Sequence, residues 1–340
     1  MTSRSGQKSG HAGFGWAEYL DELVREHGSL TAVALKIALA SRDGADVATV
    51  ERGLRRLRKI TGEGGSYGRV VLRRFGLPRP ILKRARWMGL YHSRFADLPI
   101  SFCLDQLRLW DRPPVAESPV RAYLALGFAH CAIRTRDLED AKRNLDVAER
   151  ATKDDPVAAC EGLLARAYVK ANDGDVPGAK EMLARAKGLA RGIDTAEDAP
   201  CFRARALDQL AYLAMRTEAP DVKAAKKLYE RIDEVGPPFA LCKRFNGLGY
   251  VAWRAGDRET AAVHARLAVT TAGDAGLLRQ RAISLSLLAR VADGDEAIAA
   301  GARARDLAAA IEDLDLLARL NGASAAPPAR DRKRPPRRKP

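Results

Sequence analysis

Four helix-to-helix junctions in this chain are written alike, and they constrain the fold more than any other feature. Phe128-Ala129-His130-Cys131-Ala132-Ile133-Arg134 leads through Asp137 to Ala141. Arg166-Ala167-Tyr168-Val169 leads through Gly174-Asp175 to Ala179, and Leu210-Ala211-Tyr212-Leu213-Ala214-Met215-Arg216 leads to Ala225. Leu248-Gly249-Tyr250-Val251-Ala252-Trp253-Arg254 leads through Gly256-Asp257 to Ala261. The small residue of the first helix and the alanine of the second lie twelve positions apart in three copies and fourteen in the third, which implies a two-residue insertion there. A weaker fifth copy runs through Leu285 to Gly294-Asp295 and Ala297, and the steps between copies are 38, 46, 36 and 36 residues. Antiparallel helices approach closely only where small side chains sit at the crossing, and each pair needs neighbours to cover its other face. The pattern therefore predicts stacked helix pairs; a non-repeating Ala-rich bundle is the alternative.

The rest of the chain agrees with an all-α protein. Nearly every segment from Phe14 to Leu320 has helical periodicity, with breaks such as Asp155-Pro156, Asp175 with Pro177, and Gly236-Pro237-Pro238. No stretch sustains period-2 alternation, so little or no sheet is expected. At 46% hydrophobic and 6% aromatic, the 340 residues can bury a core packed through small side chains. The longest apolar candidate, Leu30–Ala40, is shorter than the ~18–20 residues of a membrane helix and carries Lys36. Met1–Gly13 has no apolar stretch of a secretory signal, so a cytoplasmic location is expected.

The junctions resemble the tetratricopeptide repeat: a small residue on the first helix, a Gly-Asp turn, and alanine on the second. The copy at 248–268 matches best, with Leu248, Gly249, Gly256, Ala261 and Ala268; steps of 38 and 46 depart from the family's repeat of about 34 residues. The resemblance implies a right-handed α-solenoid whose groove, lined by the first helix of each pair, binds a protein or peptide. Carried over by position, the groove residues are His130, Tyr168, Tyr212 and Tyr250, with Arg134, Asn172, Arg216 and Arg254 four residues on and so on the same face. Tyr and Arg together suit an acidic partner. The other reading packs the tyrosines between repeats and uses the arginines to cap helix C-termini.

The net charge of +15 is unevenly placed. It is +8 before residue 121, +1 over 121–322 and +6 in 323–340. Residues 52–86 hold twelve cations against Glu63 alone, which will attract a polyanion unless the run is only a solvated face. Helix 46–60 turns Val47, Val50, Leu54 and Leu57 to one side and leaves Arg52, Arg55, Arg56 and Lys59 outward. Three short helices with a cationic third resemble a helix-turn-helix module, although Ser41–Ala45 is longer than that motif's turn. Arg52, Arg55, Arg56, Arg58, Lys59, Arg73 and Arg74 are the candidate nucleic-acid contacts. The organisation expected is a disordered 1–13, a basic module at 14–78, a connecting helix pair at 79–117, the repeat array at 118–320 and a disordered Pro/Arg/Lys-rich tail at 321–340.

Enzyme chemistry is not expected. Cys103, Cys131, Cys160, Cys201 and Cys242 are far apart and read as buried free thiols, and the five histidines are isolated, so neither metal nor other cofactor is implied. Gly62-Glu63-Gly64-Gly65 lacks the Lys-Ser/Thr of a phosphate loop. Acidic pairs such as Glu312-Asp313 read as solvated. The function expected is a non-enzymatic interaction protein with a nucleic-acid-binding N-terminal module, a regulator or adaptor; the alternative is a pure scaffold whose basic region docks an acidic protein.

Overall fold

A computed structural model describes residues 14–322 except 42, 43, 153 and 218; the terminal segments expected to be disordered lie outside the described residues, save 321 and 322. Among the described residues the structure is all helix with no strand. Five helices come first: α1 (Trp16–His27), α2 (Leu30–Ala40), α3 (Val47–Leu57), α4 (Gly65–Phe75) and α5 (Arg79–Gly89). Ser29 and Asp46 start α2 and α3 by accepting backbone N–H bonds from Ala32 (3.1 Å) and Thr49 (2.9 Å). The glycine-rich turn has a packing role. The Trp16 indole donates to the Gly62 carbonyl at 2.9 Å and lies where a Cβ on Gly64 or Gly68 would stand.

α6 (Ile100–Trp110) precedes the array, and residues 94–97 form a separate 3₁₀ turn ahead of Pro99. Then come α7 (Arg121–Thr135) with α8 (Leu138–Ala151), α9 (Pro156–Asn172) with α10 (Val176–Ala190), and α11 (Asp198–Met215) with α12 (Val222–Glu230). α13 (Pro238–Ala255) pairs with α14 (Arg258–Asp274), α15 (Leu278–Val291) with α16 (Gly294–Ala310), and α17 (Leu314–Gly322) ends the array. Consecutive helices pack on one another and each first helix also touches the next first helix, which is a solenoid-like arrangement.

The repeated residues sit at the helix crossings. Ala129, Ala141, Ala167, Ala179, Ala211, Ala225 and Ala261 are all fully buried. The turns share one geometry. Arg136, Gly174 and Gly256 take positive φ (65°, 86° and 82°), and the following Asp137, Asp175 and Asp257 each donate N–H to a carbonyl five residues back at 2.9 Å. Each of these aspartates then caps the next helix with its carboxylate. In the third copy Asp221 reaches back seven residues, to Ala214 at 3.1 Å, which is the two-residue insertion in physical form. The fifth copy slips in its second helix: Ala297 is half-buried, and Ala300 and Ala304 take the buried positions.

One hydrophobic core runs without a break from Phe14 and Trp16 through α5–α7 to Leu213, so the N-terminal helices share their interior with the start of the array. All five cysteines are buried free thiols, and burial pushes Cys160, Cys201 and Cys242 up to about 12. No described helix is long and apolar enough to cross a membrane.

Candidate functional site

In register, the first helices present a ladder. His130, Tyr168, Tyr212 and Tyr250 occupy one level, and Arg134, Asn172, Arg216 and Arg254 the next turn. The 36-residue step continues the ladder onto α15 as Ser286 and Arg290. All of these except Arg254 line a single cavity of about 540 Å³ bounded by α7, α9, α11, α13, α15 and α17. Arg254 donates to the Tyr250 hydroxyl at 2.9 Å and so stands behind it.

The ladder residues differ in what they already do. Arg134 is buried, with its guanidinium donating to the carbonyls of Ile311 (2.6 Å) and Leu98 (3.1 Å) and lying 3.4 Å from Asp313. The Asn172 amide donates to the Tyr168 carbonyl, and the Tyr168 hydroxyl to Asp315 at 3.2 Å. His130 is buried 3.0 Å from Glu161; burial holds its imidazole below the usual value despite that carboxylate. Tyr212 and Arg216 are exposed toward the cavity, with the guanidinium 5.3 Å from the ring centre.

Two turns toward the N-terminus on the same faces stand Glu161, Arg205, Lys243 and Arg279, none of which the sequence pattern singles out. Their signal is the seven-residue spacing ahead of Tyr168, Tyr212, Tyr250 and Ser286. Glu161 is fully buried and accepts from Arg205 at 2.6 Å. Burial alone would raise this acid, but Arg205 and His130 hold it well below the usual carboxylate range.

Joining the two ends of the array completes the cavity wall. Tyr91, just beyond α5, lies between the Arg205 and Arg279 guanidinium groups, 4.5 and 5.1 Å from its ring centre. Arg279 also donates to the Tyr91 hydroxyl, to Asp313 at 2.6 Å and, from its backbone N–H, to Asp97 at 2.8 Å. Burial would push the Tyr91 phenol up, but Arg279, Lys243 and Arg205 together bring it below its ordinary value. Ser101 donates from its N–H and hydroxyl to Glu312 at 2.7 and 2.8 Å. Of the acidic pair expected to be solvated, Glu312 is exposed though tied to α6, whereas Asp313 is fully buried where the two ends meet. Asp313 reads as surface in sequence because its partners lie more than 30 residues away for Arg279 and more than 170 for Arg134.

Comparison with protein-family models, curated proteins and solved structures finds no match. What the site can bind is set by its own side chains.

A second surface is cationic. Arg52, Arg55, Arg56, Arg58 and Lys59 on and just after α3, and Arg73 and Arg74 on α4, are all exposed, as are Arg69, Arg79, Lys83 and Arg84. Of the twelve cations in 52–86, Arg55 pairs with Glu51 at 2.6 Å, Arg58 with Asp21 and Arg86 with Asp198. The other nine have no carboxylate partner among the described residues. Gly53 lets the Tyr67 ring of α4 approach α3 closely, which holds the two cationic helices together.

Proposed function

We propose that this chain is a non-enzymatic regulator or adaptor of the cytoplasm. Its tetratricopeptide-like array recognises a partner on the inner face, and its helix-turn-helix-like N-terminal helices bind DNA or RNA. The observation that carries the nucleic-acid half is a contrast in charge balance. Residues 121–322 are nearly neutral at +1, whereas 52–86 hold twelve cations against Glu63 alone. Nine of those twelve have no carboxylate partner among the described residues. A face that served only solubility would gain from mixed charges, whereas unpaired cations keep their field for an external polyanion.

The test is binding of the full chain to a 20-base-pair duplex across a salt series. Arg56→Glu, Lys59→Glu, Arg73→Glu and Arg74→Glu together should lower affinity at least tenfold. The same variant should flatten the salt dependence by about one unit of log slope for each phosphate it no longer neutralises. Unchanged affinity would refute nucleic-acid binding through this face. The core shared between the N-terminal helices and the array favours a second reading, a pure scaffold in which the same face docks an acidic protein. That reading predicts no duplex binding by the parent chain.

A further inference from the structure

The size of the inner-face cavity bears on what it can hold. A cavity of about 540 Å³, partly open to solvent, lies on the inner face where the ends of the array meet through Arg279–Asp313 and Ser101–Glu312. Pockets of about 300–1,000 Å³ hold drug-sized ligands. An extended ten-residue peptide needs about 33 Å of continuous groove.

The charge of the occupant follows from which cations are already satisfied. Eight arginine and lysine side chains line the cavity. Arg205 is matched by Glu161, Lys243 by Asp208 at 2.8 Å and Arg319 by Asp315 at 2.9 Å, while Arg134 and Arg279 share Asp313. Arg136, Arg216 and Arg290 have no carboxylate partner among the described residues. Arg290 lies 5.6 Å from the Trp253 ring centre, with its Nε buried and lacking an acceptor. Neither Arg216 nor Arg290 donates to a helix-terminal carbonyl among the described residues, so capping does not account for them. The Asn246 Oδ1 is likewise buried at the cavity without a donor. A buried donor and a buried acceptor left unmet in one cavity are the groups a polar ligand completes.

We propose that the chamber binds a compact organic anion, a carboxylate or phosphate ester, whose charged group is met by Arg216 and Arg290. The ligand's body lies against Tyr212 and Tyr250, and Asn246 accepts from one of its hydroxyl or amine groups. The proposal rests on the inner face being the recognition surface and makes its occupant a small molecule.

The test is calorimetry and thermal unfolding of the full chain with citrate, adenosine 5′-monophosphate and, as the extended alternative, an acidic ten-residue peptide. Citrate or the nucleotide should bind saturably at one site per chain and raise Tm by about 2–4 °C at high occupancy. Which of the two binds distinguishes carboxylate from phosphate. Arg216→Gln with Arg290→Gln should weaken binding at least tenfold while leaving duplex binding and the ligand-free melting curve unchanged. Should that pair unfold, Arg216→Glu on an exposed side chain should give the same loss. Absence of saturable binding by both small anions, an affinity indifferent to these variants, or binding of the peptide alone would overturn the proposal. Duplex binding in the same preparations separates that failure from failure of the nucleic-acid reading.

Discussion

Asp198 joins the N-terminal segment to the array through a single carboxylate. It is the first residue of α11, where a negative charge is favoured by the helix dipole. One oxygen lies 2.8 Å from His92 Nε2; the other accepts from Arg86 of α5 and from the Thr195 hydroxyl at 2.9 Å. Burial alone would raise this acid, but His92 and Arg86 hold it at about 2, below its ordinary value of 3.8. The folded state therefore binds its proton more weakly than the unfolded chain. The stabilisation is fully present above about pH 4 and is lost as pH falls toward 2. Asp198→Asn should cost about 2 kcal/mol in urea unfolding at pH 7, with the gap from the parent closing between pH 4 and 2. A gap that persists unchanged at pH 2 would mean that the carboxylate acts through packing instead of charge.

At the scale of helices, α5 crosses α7 closely enough for backbone to meet backbone. A Cβ on Gly89 would stand 2.4 Å from the Tyr123 carbonyl oxygen, and one on Gly127 would stand 2.8 Å from that of Met88. Both obstacles are backbone, so the helices themselves must move. Gly89→Ala should destabilise by about 1–3 kcal/mol in urea unfolding. Gly162→Ala is the control: on α9 its nearest neighbour would be the Leu126 side chain at 3.7 Å, and the helix-propensity gain of up to about 1 kcal/mol should remain. The helix pairs are legible in the sequence because their signals are local: aspartates at the starts, glycine or Arg136 in the turn, and small residues twelve apart. Leu57, Leu54 and Val50 are buried as their spacing implies, and the cations between them are exposed. The ladder of His130, Tyr168, Tyr212 and Tyr250 is legible for the same reason. Glu161 and Arg205 are not, since a charged residue inside an Ala-rich helix face reads as surface until its partner on another helix is known. The slip at Ala297 is also non-local, because α16 packs against α17 as well as α15.

For the molecule as a whole, Asp313 decides whether the array is an open solenoid or a ring. Its Oδ2 meets Arg279 at 2.6 Å and Arg134 at 3.4 Å, while Oδ1 accepts the Leu316 N–H at 2.9 Å and so starts α17. Burial favours the neutral acid, but Arg279 keeps it ionised, with its pKa below the ordinary carboxylate value. Through Arg279 the same carboxylate is linked to Tyr91 and Asp97, so the end of the array is held to the segment that leaves the basic helices. Removing one partner of a buried ion pair leaves the other charge uncompensated, and Asp313→Asn should cost about 3–5 kcal/mol. The location of that loss separates ring from solenoid. With a ring, hydrogen exchange should quicken together in α17 and in residues 91–101, and the radius of gyration from small-angle scattering should rise. A change confined to α17 would mean that the two ends touch without holding each other. With the ends coupled, an anion that binds the chamber should slow exchange at 91–101 in the parent chain and lose that effect in Asp313→Asn, which would give the inner face a physical route to the basic helices.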